Sequence, residues 1–381
     1  MRTFRFSLLV AVPATIALAI SPATAAGTWF SAAVESSINN GAGPGPAPRG
    51  TATADFNSDG RPDLASVGDF AQGDVIVTFN RGSNTFGGEV RVSGTTNTQG
   101  LDAGDLNGDG NADIVAASTS DAKIRFGNGA GGFSDGGSYP LTLGGQVEPL
   151  IVDVNGDGEK DILAPTFTAV QTLINNGNGT FKVGPRSEVA GAGAIAAASI
   201  AKLNSDTATD LFVTDGASGT TFALRGTGDG RFTVSGQLYA AGFVPEDVTA
   251  IDLDGDGFDD AATVGSFSFS VATGLTNGSG AFRSTIPASV TYGGPGPTSA
   301  SAADFDGDGR QDLVVSSLAN PTQGTMTVLQ GNGTAKLTEN GTYATAAFPQ
   351  NPVLADYDGD GDVDIAAVSG GTVSVLPNIT P

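Results

Sequence analysis

Apolar and polar positions repeat along this chain in units of about fifty residues. In each unit, small residues lead into a polar Gly-rich loop, an apolar run follows, and two further segments flank a Gly/Asn-rich turn, as in TATADF, DLASV and DVIVTFN of the first unit. Alternation with a period of two is typical of half-buried β-strands, and Gly and Asn favour tight turns. The pattern therefore predicts four short strands in each unit.

Seven polar loops mark the units. The pattern D-x-[DN]-x-D-G-x-x-D begins at residues 55, 105, 153, 252, 304 and 356, and a degenerate copy, KLNSDTATD, begins at residue 202. Four strands repeated at this spacing are typical of propeller blades. The sequence predicts an all-β fold, a seven-bladed β-propeller with four-stranded antiparallel blades, as a single domain over residues 27–381.

The two ends of the chain predict how the ring closes. After the last loop the sequence has only three strand-like segments, and a fourth appears at the other end, in TWFSAAVESSI over residues 28–38. An N-terminal strand that completes the last blade removes two open sheet edges. We expect the seventh blade to combine residues 28–38 with residues 353–376.

The first 26 residues have the features of a secretory signal peptide. Arg2 and Arg5 precede a short apolar run over residues 6–20, and Ala23-Thr24-Ala25 offers a cleavage site of small residues. The run is shorter than the roughly 20 apolar residues that span a membrane. We expect residues 1–26 to be removed and the mature protein to be secreted, extracellular and not inserted in a membrane.

Composition narrows the possible functions. The chain has 17 Lys and Arg against 40 Asp and Glu, a formal net charge of −23, which opposes binding to nucleic acid. It has no Cys and no His, so thiol nucleophiles, disulfides and the commonest general base are excluded. Metal cations are the first partners that this charge suggests.

The six complete loops have the composition of calcium sites. Ca²⁺ takes six to eight oxygen ligands. Positions 1, 3, 5 and 9 supply carboxylate or amide oxygens, position 7 supplies a backbone carbonyl, and Gly at position 6 permits a sharp turn. The Glu at position 12 of an EF-hand is absent, so these loops are a different kind of site. An acidic turn without metal would leave carboxylates repelling one another in all six loops.

The sequence therefore predicts about six Ca²⁺ ions. Their predicted ligands occupy positions 1, 3, 5, 7 and 9 of the complete loops. They are Asp55, Asn57, Asp59, Arg61, Asp63, Asp105, Asn107, Asp109, Asn111, Asp113, Asp153, Asn155, Asp157, Glu159, Asp161, Asp252, Asp254, Asp256, Phe258, Asp260, Asp304, Asp306, Asp308, Arg310, Asp312, Asp356, Asp358, Asp360, Asp362 and Asp364.

The degenerate fourth loop has lost two of these features. Lys202 replaces the first Asp and Thr207 replaces the turn Gly, whereas Asn204, Asp206 and Asp210 remain. We expect no ion in this loop. We also expect the Lys202 ammonium to pair with Asp206 and Asp210 in its place.

The loop motifs, the GxGxGxF turns and the seven tandem copies resemble the FG-GAP/VCBS repeats of secreted bacterial proteins and of the integrin α-subunit propeller. The resemblance covers residues 28–381. It implies a calcium-binding propeller. Members of this family include adhesion propellers, sugar-binding lectins and non-catalytic parts of secreted enzymes.

A ligand face is expected at the ends of the blades opposite the calcium loops, where loops lie on a rigid scaffold. Aromatic residues there could stack on sugar rings, or could simply pack between blades. The candidates are Phe70, Phe167, Phe267, Tyr292 and Phe348.

The function predicted is a non-catalytic binding module, a monomer that binds carbohydrate or a cell-surface ligand. One alternative is an adhesin or inhibitor that binds an extracellular protein. A second is a polysaccharide lyase or hydrolase that uses a Tyr, a Lys or a pair of carboxylates. The absence of His and the assignment of the repeated Asp residues to metal argue against catalysis.

Overall fold

A computed structural model describes residues 29–38, 50–68, 73–142, 148–239, 244–266, 271–282, 284–286, 297–320, 323–346, 349–369 and 371–380. These residues form 28 strands, which group into seven four-stranded antiparallel sheets. The prediction of an all-β, seven-bladed propeller is confirmed.

The strands follow one another blade by blade. The first strand of the described residues is β1 (Val34–Ser37). Blade 1 comprises β2 (Thr51–Ala54), β3 (Asp63–Val67), β4 (Val75–Gly82) and β5 (Thr85–Val92). Blade 2 comprises β6 (Gly100–Gly104), β7 (Asp113–Ala117), β8 (Asp121–Gly127) and β9 (Phe133–Pro140). Blade 3 comprises β10 (Leu150–Val152), β11 (Asp161–Pro165), β12 (Ala169–Asn175) and β13 (Phe181–Glu188).

The later blades have the same order. Blade 4 comprises β14 (Ile195–Ala201), β15 (Asp210–Asp215), β16 (Thr220–Gly226) and β17 (Phe232–Tyr239). Blade 5 comprises β18 (Val244–Ile251), β19 (Asp260–Ser266), β20 (Ala272–Leu275) and β21 (Ser284–Ile286). Blade 6 comprises β22 (Pro297–Ala303), β23 (Asp312–Asn320), β24 (Gln323–Gly331) and β25 (Leu337–Thr345). Blade 7 comprises β26 (Gln350–Ala355), β27 (Asp364–Ser369), β28 (Thr372–Leu376) and β1.

The N-terminal strand closes the ring, as predicted. Blade 7 has the order β1-β28-β27-β26, and Val34 pairs with Val375. A further bridge joins Phe30 to Asn378. The blade begins at Gln350, three residues before the predicted boundary, because Gln350 pairs with Val368 and so extends β26.

The core lies between neighbouring blades. Most apolar side chains of the second and third strands are buried and pack against the next sheet, as Leu313 of β23 and Leu329 of β24 do in a cluster with Leu253 of blade 5. Aromatic pairs pack between other neighbouring blades. Phe30 of blade 7 contacts Phe305 of blade 6 edge to face, with ring centroids 5.3 Å apart. This packing holds the loops at the two ends of the blades in fixed positions.

Antiparallel order sets which loops share an end of the ring. The loop between the first and second strands of a blade lies at the same end as the turn between the third and fourth strands. The turn between the second and third strands and the connections between blades lie at the other end. Within the described residues, no helix is long and apolar enough to cross a membrane.

Candidate functional site

Each complete loop curls around the carboxylate of its first residue. In the first loop, Asp55 accepts the backbone N–H groups of Asn57 and Asp59 at 3.2 Å and of Gly60 at 2.8 Å. Gly60 has a φ of 82°, a conformation that is costly for a residue with a Cβ. The same bond from the turn Gly to the first Asp occurs in the other five complete loops, at 2.8 to 2.9 Å.

This curl brings the oxygen-bearing side chains together. In three loops, one carboxylate oxygen from each of three Asp residues lies within 4.8 Å of the others. The three sets are Asp252, Asp254 and Asp260; Asp304, Asp306 and Asp308; and Asp356, Asp358 and Asp360. Like charges at such distances repel strongly, and a hard divalent cation would remove that repulsion. The donor set therefore fits Ca²⁺.

The side chains of two predicted position-7 residues form ion pairs within their own loops. Arg61 pairs with Asp59, and Arg310 pairs with Asp308, so each guanidinium contacts the carboxylate at position 5 of its own loop. These pairs lie at the exposed edge of the loops and are weak surface interactions. The backbone carbonyl of position 7 stays the predicted ligand.

The Asp at position 9 has a role that the sequence interpretation missed. Asp260 is fully buried, and its two oxygens accept the backbone N–H groups of Leu253 at 3.1 Å and Thr276 at 2.7 Å. The equivalent carboxylates of the other loops bond in the same way. This residue therefore clamps the loop to the third strand of its blade, whether or not it also binds metal.

Burial strongly affects the acidity of these clamps. Desolvation raises the pKa of Asp260 and of Asp312 to about 7, and the neighbouring loop carboxylates add to the shift. For the same reasons the pKa values of Asp63, Asp113 and Asp364 are raised to about 6. A cation held in the loop would favour the ionised form and oppose these shifts.

The prediction for Lys202 is wrong. Its ammonium lies over the ring of Phe258, with the nitrogen 5.6 Å from the ring centroid, rather than between Asp206 and Asp210. The Lys202 backbone N–H donates to Asp259 at 2.7 Å. Lys202 therefore connects blade 4 to the loop of blade 5, because its position at the end of β14 directs it toward the neighbouring blade.

A different residue supplies the cation in the fourth loop. The Arg225 guanidinium lies 3.3 Å from Asp206, in an ion pair with both side chains about 43 to 44% exposed. Arg225 directly precedes Gly226, whose N–H donates to the clamp Asp210. At the same position the six complete units have uncharged residues. They are Phe79, Phe126, Ile174, Leu275, Gln330 and Pro377.

This periodic exception is the signal that would have found Arg225 in the sequence. A positive charge occurs at that position only in the unit that has lost its first Asp and turn Gly. Beside the altered loop, a cleft of about 520 Å³ opens between the third and fourth loops. Asp153, Asn155, Asp206 and Thr227 are among its lining residues.

One predicted aromatic residue can be located on the opposite face. Phe70, Phe267, Tyr292 and Phe348 lie outside the described residues. Phe167 lies in the turn between β11 and β12 and is 52% exposed, so it does not pack between blades.

Phe167 stands on a firmly held turn with polar neighbours. Its carbonyl accepts the N–H of Ile195 in blade 4 at 2.9 Å. The adjacent Thr168 hydroxyl lies 3.4 Å from Glu188, and Glu188 forms an ion pair with Arg186. An exposed ring beside a hydroxyl, a carboxylate and a guanidinium offers both a stacking surface and hydrogen-bonding groups.

Comparisons with known proteins agree with the architecture. The model of the FG-GAP-like repeat matches residues 55–116, 105–164, 153–213 and 265–315. No curated protein matches the chain.

Solved structures share the fold at low sequence identity. BBS1N, in a crystal structure of its complex with ARL6DN, is 11% identical, with a TM-score of 0.62 over 93% of this chain and 98% of that one. A lectin from Agrocybe aegerita that recognises non-reducing terminal N-acetylglucosamine is 20% identical, with a TM-score of 0.56 over 88% and 86%. A protein from Lactobacillus plantarum is 16% identical, with a TM-score of 0.58 over 79% and 85%.

Proposed function

Because this chain belongs to the family of FG-GAP-like repeat proteins, we propose that it is a secreted, calcium-stabilised binding module for carbohydrate or a cell-surface ligand. The observation that supports calcium is the repeated clustering of carboxylate oxygens within 4.8 Å. Calcium in these loops stabilises the blade ends, and the opposite face binds the ligand. The module binds without catalysis.

The exposed Phe167 ring and its polar neighbours carry the carbohydrate part of the proposal. Sugar rings have apolar faces that stack on aromatic rings and hydroxyl groups that bond to carboxylates and guanidinium groups. Phe167 lies on the turn between β11 and β12, and the adjacent Thr168 contacts Glu188 and Arg186 at the end of the outer strand β13, so the combination is present at one end of blade 3. The fold of the Agrocybe aegerita lectin adds weak support, since propellers of this kind can recognise a sugar.

A glycan array probed with the mature chain, residues 27–381, tests the proposal. We expect selective binding in Ca²⁺ that falls when the metal is chelated. Phe167→Ala should abolish it. Val183→Ala is the matched control, because Val183 is similarly exposed, at 49%, but pairs with Leu173 near the other end of blade 3, away from Glu188, which pairs with Ala169.

A folded, calcium-loaded protein that binds no glycan would contradict the carbohydrate ligand. The second candidate would then be a protein partner, which the complex of BBS1N with ARL6DN favours. Turnover of a polysaccharide by the purified chain would contradict a purely binding role.

A further inference from the structure

The side chain of Glu148 joins three blades at the mouth of the central channel. Glu148 precedes β10, the innermost strand of blade 3. Its carboxyl accepts a hydrogen bond from the side-chain amide of Asn351 in blade 7 and from the backbone N–H of Thr51 in blade 1. Blade 2 lies between blades 1 and 3, so this contact reaches past the adjacent blade.

Close packing keeps the carboxyl in this position. A Cβ added at Gly50 would lie 3.3 Å from Glu148 Oε1 and 2.9 Å from the backbone nitrogen of Leu101. The chain therefore needs a residue without a side chain at position 50. Glu148 lies just before β10, Thr51 is the first residue of β2 and Asn351 is the second residue of β26, so the three meet where the first strands of their blades begin, at the end of the ring opposite the calcium loops.

The described charged groups that act most strongly on Glu148 are both negative. Asp102 on β6 and Asp247 on β18 act on it electrostatically, and Glu246 lies next to Asp247. The other five innermost strands, β2, β10, β14, β22 and β26, contain no titratable side chain. Backbone hydrogen bonds hold both neighbouring carboxyls in place: the Ile151 N–H donates to Asp102, and the Ala300 N–H donates to Asp247.

We propose that Glu148 is a pH-sensitive clasp that ties blades 1, 3 and 7 together across the channel mouth. A neutral carboxyl still accepts the Asn351 and Thr51 hydrogen bonds and is not repelled by its neighbours. An ionised one is repelled by Asp247 and Asp102, whose charges have the same sign. The clasp is therefore strongest in mild acid and weakens as the pH rises.

The protonation equilibrium agrees with this geometry. Desolvation, followed by the charges of Asp247 and Asp102, raises the pKa of Glu148 well above its usual range. A carboxyl with a higher pKa in the folded state binds more protons there than in the unfolded chain. Its contribution to stability is present at low pH and is lost as the pH rises through the folded-state pKa.

The first experiment titrates the glutamates directly. The chain has seven, so ¹³C labelling of their carboxyl carbons gives a resolvable NMR spectrum, and Glu148→Gln identifies the Glu148 signal. The protein is kept saturated with Ca²⁺, which holds the loop carboxylates ionised. We expect Glu148 to titrate far above the usual value for Glu of about 4.3. Titration near that value would overturn the proposal.

The second experiment measures how the clasp affects folding. In saturating Ca²⁺, the unfolding equilibrium constant of the unmodified protein should rise by up to tenfold per pH unit between the unfolded and folded pKa values of Glu148. Glu148→Gln should remove this component, whereas Glu188→Gln, which alters an exposed ion pair, should keep it. An unchanged pH dependence in Glu148→Gln would refute the clasp.

A variant at a neighbour covers the case in which Glu148→Gln does not fold. Asp247→Asn removes one negative charge and keeps an oxygen that can accept the Ala300 N–H. It should lower the pKa of Glu148, and the pH range over which the unfolding equilibrium depends on Glu148 should end at a correspondingly lower pH. A carboxyl titration that does not respond to Asp247→Asn would also argue against the proposal.

Discussion

The fourth and fifth loops are neighbours in the ring, and they show which parts of the motif shape the backbone. Both keep the clamp at position 9, Asp210 in one and Asp260 in the other, with the same pair of backbone N–H donors. Both also keep the bond from the position-7 N–H to the Asp at position 5. The fourth loop therefore folds without its first Asp and without the turn Gly.

What differs between these loops is the source of positive charge. In the fifth loop, three carboxylates cluster with no side-chain cation among the groups that perturb Asp260. In the fourth loop, Arg225 pairs with Asp206 and lowers the pKa of Asp210, opposing the effect of burial. Under the proposed calcium assignment, the Arg225 guanidinium takes the place that an ion would have in the complete loops, so blade 4 should not depend on calcium.

Removal of calcium should have the largest effect. An ion that binds only the folded state at ten times its Kd stabilises it by ~1.4 kcal/mol, or ~8 kcal/mol for six sites. We expect a chelator to lower the Tm substantially in calorimetry, and metal analysis to find six ions per chain. A seventh ion would mean that the fourth loop binds metal like the others. A Tm that EDTA leaves unchanged would contradict calcium binding in the complete loops.

Acid should partly compensate for the missing metal. With EDTA present, Asp260 and Asp312 have a pKa of about 7 in the folded protein, far above an unfolded value of about 3.9. The folded state then binds more protons than the unfolded chain, so the protein becomes less stable as the pH rises from about 4 to 7. The unfolding equilibrium constant should rise by up to tenfold per pH unit for each of these carboxyls. Urea unfolding at pH 5 and pH 7 measures this. In Ca²⁺ the trend should shrink or reverse.

Loss of the clamp should be costly even where no ion binds. Asp210→Ala leaves the buried N–H of Leu203 and the partly buried N–H of Gly226 without their acceptor, at about 1 to 3 kcal/mol for the buried group and less for the other. The free energy of unfolding should fall by the same amount with and without Ca²⁺. A loss seen only in Ca²⁺ would mean that the fourth loop binds metal.

Position 5 offers a matched pair of variants. Asp256→Ala should lower the bound metal from six ions to five and cost ~1.4 kcal/mol at ten times Kd. Asp206→Ala should leave six ions bound, because its carboxylate pairs with Arg225 instead. Metal analysis of the two purified variants is the measurement, and equal metal loss in both would contradict the comparison.

The smallest effect should come from Arg225 itself. Arg225→Leu restores the kind of residue found at this position in blade 5 and breaks an exposed ion pair worth about 0.2 to 1 kcal/mol. The loss should be independent of calcium and should decrease at high salt. Chemical unfolding at two ionic strengths measures it, with Arg231→Leu, which breaks the exposed Arg231–Asp229 pair, as the control.

Much of the architecture follows from the sequence, because each blade is a local unit. The spacing of the loops predicts seven blades, and the short C-terminal unit together with residues 28–38 predicts the closing strand. The first Asp and the turn Gly of each complete loop act within six residues of one another, so their arrangement could be predicted from the motif. The exposed position of Phe167 follows from its place in the turn between the second and third strands of blade 3.

Other features depend on contacts that the motif does not contain. The sequence by itself determined the repeat, the loops and the strands, because hydrophobic periodicity and turn chemistry act over a few residues. The sequence marks Arg225 as the one charged residue at its position in the repeat, but only the tertiary structure decided that Arg225 rather than Lys202 pairs with Asp206, and that Lys202 lies over Phe258 of the next blade. Likewise, Glu148 meets Asn351 only because ring closure brings residues 203 positions apart to one channel mouth. Such pairs are set by strand register and blade packing, which no local pattern records.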